Sequence, residues 1–306
     1  MRDYSNFIII SIIFLLSLFI INNPYFIHLI ILSGIFGILA IYWNLLDGYL
    51  GLINFGYAAF FGVGAYTSAI LSMKLNITLP LSIFIGGILA GIIGILVIIP
   101  CLRMVTFSTA IVTLAFGEIM RIIASSWTSL TKGEMGLWGI PPLFEGANKK
   151  PYGLVIILLL LLGILGIQII LKTPFGLAIK AVRDDEISSG VLGIYPSRIK
   201  IIASGISCFM AGIVGGFYAH YILTITPAIF GIAYTIQIMA MSLLGGKGTI
   251  YGPLMGTLVL IFLGEGTRFL EDYRTLIYGA IIILIVMLFP QGLAGIYQKF
   301  QNIFKR

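Results

Sequence analysis

Pro80-Leu81-Ser82-Ile83-Phe84-Ile85-Gly86-Gly87-Ile88-Leu89-Ala90-Gly91-Ile92-Ile93-Gly94-Ile95-Leu96-Val97-Ile98-Ile99 contains no charged residue. About 20 mostly apolar residues make a helix long enough to cross the hydrocarbon core of a bilayer. A stretch hydrophobic on every side has no polar face to offer water, so it belongs in lipid or deep inside a large core. Composition decides between the two. Of 306 residues, 59% are hydrophobic and 9% are charged, against about 25% charged in a soluble domain. So few ionic groups cannot solvate so much apolar surface, and the chain reads as an all-α, polytopic transmembrane helical bundle.

Runs of the same kind recur along the chain. They place spans near 6–22, 26–46, 51–73, 80–99, 104–124, 152–171, 200–222, 230–245, 251–267 and 275–290. That gives about ten spans, or eight to ten, because the third, eighth and ninth are short or glycine-interrupted. The first reads as a retained span, since no small-residue cleavage motif follows it. The 37 glycines fit helices that approach closely in lipid, with Gly87 and Gly91, and Gly212 and Gly216, four apart.

Lysine and arginine set the orientation. With the N-terminus inside, the inner segments hold Arg2, Arg103, Lys172, Lys180, Arg183, Arg198, Lys200, Lys247, Lys299, Lys305 and Arg306. The outer segments hold Lys74, Lys132, Lys149, Lys150, Arg268 and Arg274. The excess inside puts both termini in the cytosol. The net charge of +7 is thereby topological, and no basic patch for nucleic acid is implied. The whole of 1–306 reads as a single transmembrane domain, with a longer outer loop at about 125–151 and a cytosolic one at about 172–199.

The cytosolic loop carries the most information. Thr173 stands where an N-cap belongs, with Pro174 at the first helical position. Asp184 or Asp185 can cap a second short helix with Glu186 in its first turn, and Gly193 can end it. Ile187, Val191 and Leu192 would share one face. A solvated connection or an amphipathic helix fitted to a partner's groove both satisfy this pattern.

The loop, Arg183-Asp184-Asp185-Glu186 followed by Leu192-Gly193-Ile194, resembles that of the branched-chain amino acid ABC permease family. Three other stretches resemble the same family, M-type subunit, in the same order: Gly51-Leu52-Ile53-Asn54-Phe55-Gly56-Tyr57-Ala58, Thr113-Leu114-Ala115-Phe116-Gly117-Glu118-Ile119-Met120-Arg121, and Gly245-Gly246-Lys247-Gly248-Thr249-Ile250-Tyr251-Gly252-Pro253. The resemblance implies an importer of hydrophobic amino acids in the plasma membrane. Its parts would be a second permease subunit, two cytosolic ATPase subunits and an extracytoplasmic substrate-binding protein. It makes Arg183, Asp184, Asp185, Glu186, Leu192 and Gly193 the ATPase-coupling loop. Relatives in the family carry urea or short amides instead.

Within the spans, Glu118 and Arg121 lie three apart and so share a helix face. They read either as part of a translocation path or permease interface, or as a self-neutralising pair. Asn54 reads as interhelical glue or as a substrate contact. His28 and His220 look like interfacial anchors. The two cysteines, Cys101 and Cys208, have no metal-ligand spacing around them. The Gly245–Thr249 stretch lacks the Ser or Thr that must follow the lysine of a phosphate loop. The expectation is therefore no ATP site, no metal and no catalytic residue on this chain, with ATP and Mg held by the partner ATPase subunits. An ion-coupled secondary transporter is the competing reading, with Glu118 its one good ion-coupling residue.

Overall fold

The computed structural model describes residues 23–266 apart from 105 and 147, together with residues 279, 287, 292 and 293. The expected first span at 6–22 lies outside the described residues, as do both termini and, apart from residues 279 and 287, the expected last span at 275–290.

Several helices begin where proline and a polar residue coincide. In α1 (Pro24–Asn44) the Asn23 side chain accepts the Tyr25 amide at 2.9 Å. Proline also sits in the first turn of α3 (Leu79–Cys101), which follows α2 (Tyr57–Leu75). A missing proline N–H costs nothing there, because the first amides of a helix have no intrahelical acceptor. Next come α4 (Thr106–Ser126), the short α5 (Thr128–Thr131), strand β1 (Leu137–Trp138) and α6 (Lys150–Lys172). Two small helices, α7 (Pro174–Asp184) and α8 (Glu186–Val191), lead into α9 (Pro196–Ile222). Strand β2 (Thr224–Ile225), a 3-10 turn (Pro227–Phe230), α10 (Ile232–Gly245) and α11 (Gly252–Gly266) follow.

Six of these helical segments are long and apolar enough to cross a membrane: Pro24–Leu50, Tyr57–Leu75, Leu79–Cys101, Phe107–Ser126, Lys150–Lys172 and Pro196–Ile222. Helices α10 and α11 are apolar but have only 14 and 15 residues. The chain is thus a mostly helical, multi-pass membrane protein. The outer surface of α3 agrees with a lipid solvent: Leu81, Phe84, Ile88, Ile92, Leu96 and Ile99 are all exposed along one face.

The third expected span differs in an informative way. It starts at Tyr57, six residues later than expected. Leu45–Leu50 widens into a π-helix, and residues 51–54 are non-helical. Gly51 takes φ +75°, a left-handed conformation that residues with a Cβ resist. Glycine at 48, 51 and 56 and asparagine at 54 weaken helix here, and the run of hydrophobicity hides the break.

The described residues form two compact units. One comprises those of Met1–Asn44, Gly146–Gln168 and Ile238–Arg306, the other Leu45–Glu145 and Ile169–Gln237. In the first unit, a Cβ at Gly34 would crowd Ile156, and one at Gly37 would crowd Leu254. In the second, α2, α3 and α9 pack directly on one another. Gly64 of α2 lies so close to Gly212 of α9 that any added Cβ would collide with the Gly212 backbone. Such small-residue crossings replace the hydrophobic drive that lipid does not supply.

Gly64→Ala should therefore overpack the crossing and cost about 1–3 kcal/mol. It would be read as a lower thermal midpoint of the detergent-purified protein. Gly190→Ala, where nothing lies within 4 Å of an added Cβ, should leave that midpoint unchanged.

Candidate coupling elbow and polar groups at membrane depth

The second unit has two ends. One gathers residues 102–104, α7, α8 and the start of α9. The other gathers the end of α4, the 3-10 turn Gly133–Met135 and the β1–β2 pair, in which Leu137 faces Ile225 and Trp138 faces Thr224. The two hydrophilic segments of the sequence thus occupy opposite ends of one helix bundle.

At the first end the chain forms a capped elbow. Thr173 has extended backbone ahead of Pro174, as expected. Its hydroxyl, however, donates backward to the Ile170 carbonyl at 2.6 Å and does not cap α7. Gly176, Ile179 and Val182 face inward. Asp185, rather than Asp184, caps α8: its Oδ1 accepts the amides of Ile187 and Ser188, both at 2.8 Å. The hydrogen bond from the Ser188 amide is the main cause that holds the Asp185 carboxyl below the usual carboxylate range. Glu186 accepts both charge-assisted bonds from Lys200, at 2.7 and 2.8 Å. Gly193, at φ +82°, ends the elbow, with its amide bonded to Gly190 O at 3.1 Å.

This capping leaves a bare apolar patch. Ile187, Val191 and Leu192 are 83%, 85% and 79% exposed. Beside them opens a cleft of about 570 Å³, lined by Leu50, Gly51, Leu102, Arg103, Thr109, Asp184 and other elbow residues. Arg183 spans its wall. It donates from Nη1 to the carbonyl of Gly48 in the π-helix at 2.5 Å, and its Cγ would lie 3.4 Å from a Cβ on Gly51.

From Gly51 the chain runs to the start of α2 at the depth of Thr113, seven residues into α4, or about 10 Å along its axis. Side chains satisfy the backbone there. Asn54 Oδ1 accepts Gly56 N at 3.0 Å, Thr113 Oγ1 accepts Phe55 N at 3.0 Å and Thr235 Oγ1 accepts Ala58 N at 3.0 Å. Asn54 is thus a buried cap on the break. Asp47, expected at the inner surface, is buried within the π-helix.

Glu118 and Arg121 meet as expected. Arg121 Nε donates to Glu118 Oε2 at 2.8 Å, with side chains 41% and 39% exposed. A charge facing lipid at mid-bilayer costs on the order of 2.5–3.5 kcal/mol on insertion scales, and pairing along one helix face offsets part of that cost. His220 departs from the reading as an interfacial anchor. It is fully buried, with Nδ1 2.8 Å from the Pro141 carbonyl and Nε2 2.8 Å from Ser68 Oγ. The carbonyl can only accept, so Nδ1 carries the proton and Nε2 accepts from Ser68. The ring bolts the loop after β1 onto α2 and α9.

Asn44, which the sequence reading passed over, holds the glycine-rich turn of the first unit. Its Nδ2 donates to Thr249 O at 2.8 Å, and its Oδ1 accepts Gly248 N at 3.0 Å. Gln168 Nε2 reaches Tyr251 Oη at 2.6 Å. The turn is a buttressed corner between α10 and α11. A lone amide inside an apolar run was the signal for both residues.

Residues 25–286 match the family described as the branched-chain amino acid transport system permease component. The chain belongs to that family. It is 32% identical to the high-affinity branched-chain amino acid transport system permease protein LivM of Escherichia coli K12, over 86% of this chain and 68% of that protein. The LivM of Salmonella typhimurium LT2 is 31% identical over the same shares. The permease protein LivH of Escherichia coli K12 is 26% identical over 86% of this chain and 92% of its own length. No solved structure matches. Family membership makes this chain a permease subunit, a transport component.

Asp185→Ala should fray α8, read as faster hydrogen exchange of the amides at 186–191, whereas Asp185→Asn should retain much of their protection. Because the folded carboxyl sits below its unfolded value, its contribution is present at neutral pH and persists as acid is added. It should be lost only as pH falls below the ordinary aspartate value of about 3.9.

Proposed function

We propose that this permease forms one half of the channel of an ATP-driven importer for branched-chain or other hydrophobic amino acids in the plasma membrane. A second permease subunit completes the channel. Two cytosolic ATPase subunits hold ATP and Mg, and an extracytoplasmic binding protein delivers cargo. The observation that carries this reading is the elbow. A short helix capped by Asp185 and braced by Glu186–Lys200 presents Ile187, Val191 and Leu192 to solvent. An apolar knob held rigid on a charged rim suits insertion into a protein groove. The LivM and LivH relatives are branched-chain amino acid transport permease proteins, which supports the cargo class.

Arg183 gives the knob a route into the membrane. Displacement of α7 and α8 pulls on the Gly48 carbonyl, and Gly48 belongs to the segment that ends in the side-chain-capped start of α2. A rigid-body push at the elbow is thereby converted into a shift of a broken helix at the level of Thr113. This chain contributes a path and a bistable packing, and ATP hydrolysis on the partner sets which access state is favoured.

The test is uptake of radiolabelled leucine by proteoliposomes holding the complete importer. Uptake should require ATP and survive collapse of the proton gradient; the opposite pattern would establish an ion-coupled carrier. Uptake of urea or short amides with no leucine transport would reassign the cargo. Arg183→Gln should leave the ATPase subunits bound while leucine delivered per ATP falls, because displacement of the elbow no longer reaches the Gly48 carbonyl. An unchanged ratio would remove Arg183 from the coupling route.

A further inference from the structure

We propose that Glu118, Arg121, Glu134 and the hydroxyl of Tyr66 form a binding site for the charged end of a zwitterionic amino acid, at the end of the bundle opposite the elbow. The proposal rests on the importer reading only for the class of cargo; the site itself stands on geometry within the second unit.

Glu118 lies eight residues before the end of α4, or about 12 Å along its axis, and the 3-10 turn that carries Glu134 packs against that helix. The ion pair uses only part of its capacity. Arg121 commits Nε to Glu118 Oε2. Neither the Nη edge of its guanidinium nor Glu118 Oε1 has a bonding partner among the described residues. A guanidinium edge with two parallel N–H groups is shaped for a carboxylate.

Glu134 adds a second carboxylate, and its charge acts on both Arg121 and Tyr66. Two carboxylates offer acceptors to an ammonium group, while the open guanidinium edge offers donors to a carboxylate. Tyr66 supplies an independent observation. Its ring stacks on Phe230 with centroids 5.3 Å apart, and it is 5% exposed. Its hydroxyl has no hydrogen-bond partner, although a buried phenol normally finds one. It is a donor held ready inside the protein, within the field of the Glu134 carboxylate.

The complement of this set is an ammonium and a carboxylate on one carbon. The ammonium would meet Glu118 and Glu134, and the carboxylate would meet the Arg121 edge and the Tyr66 hydroxyl. Ile122, one turn beyond Glu118 and exposed, offers apolar surface for an aliphatic side chain.

The experiment is equilibrium binding of radiolabelled leucine to the complete importer in lipid nanodiscs, without the binding protein. Leucinol lacks the carboxylate and 4-methylpentanoate lacks the ammonium; both serve as competitors. Leucine should outcompete each by about tenfold or more, because each analogue leaves one charge of the site unanswered. Glu118→Gln should collapse the gap between leucine and 4-methylpentanoate, and Arg121→Gln the gap between leucine and leucinol. Tyr66→Phe should weaken leucine and 4-methylpentanoate while leaving leucinol unchanged. A change of preference cannot come from misfolding. Absence of leucine binding, equal binding of all three compounds, or gaps that survive both substitutions would overturn the site and leave the pair to a contact between permeases. Leucine bound in this way but never delivered on ATP hydrolysis would sink the importer reading and leave the site standing.

Discussion

Inside a bilayer no water is present to bond a bare amide or carbonyl, so backbone that leaves the helix at membrane depth must be satisfied by the protein itself. The stretch from Leu45 to Gly56 is where this chain meets that constraint. The π-helix and the non-helical turn free several backbone groups that an uninterrupted helix would have paired. Thr113, Asn54, Thr235 and Arg183 each answer one of them. Four side chains from four places in the sequence converge because the break demands them, and their convergence fixes where α2 begins.

A break held this way is stable without being locked. Each neutral side-chain bond contributes about 0.5–1.5 kcal/mol net, far less than the cost of leaving the amide bare. The segment must therefore keep partners, though it can exchange one set for another. The Gly64–Gly212 crossing behaves differently: backbone lies against backbone, and no intermediate spacing is available. Within the second unit a rigid three-helix crossing thus stands beside a segment with replaceable bonds. Motion passed to this unit would concentrate in the second.

The sequence made the class of the molecule plain because mean composition and run length are averages that one break cannot upset. It also showed Pro174, the acidic cap and Gly193, since capping is written in adjacent residues. It misplaced the start of α2, because hydrophobicity continues straight through residues 51–56 while glycine alone signals the change. His220 misled for a related reason. Tyrosines on both sides suggest an interface, but the partner that makes the ring a buried bolt is Pro141, 79 positions away. Arg183 was legible as a loop residue but not as a tie to Gly48, a pairing 135 positions apart that no local pattern encodes.

The placement of charge follows from the same economy. Two ion pairs of the second unit sit toward its opposite ends: Glu186–Lys200 at the elbow and Glu118–Arg121 toward the far end. The elbow pair is spent on bracing, since Lys200 gives both carboxylate oxygens a bond. The far pair is spent on itself by a single bond, which leaves strong donors and an acceptor oxygen uncommitted. The difference is one of remaining bonding capacity: both oxygens of the Glu186 carboxylate are already answered by Lys200, whereas the far pair keeps strong donors and an acceptor that another polar group can still meet.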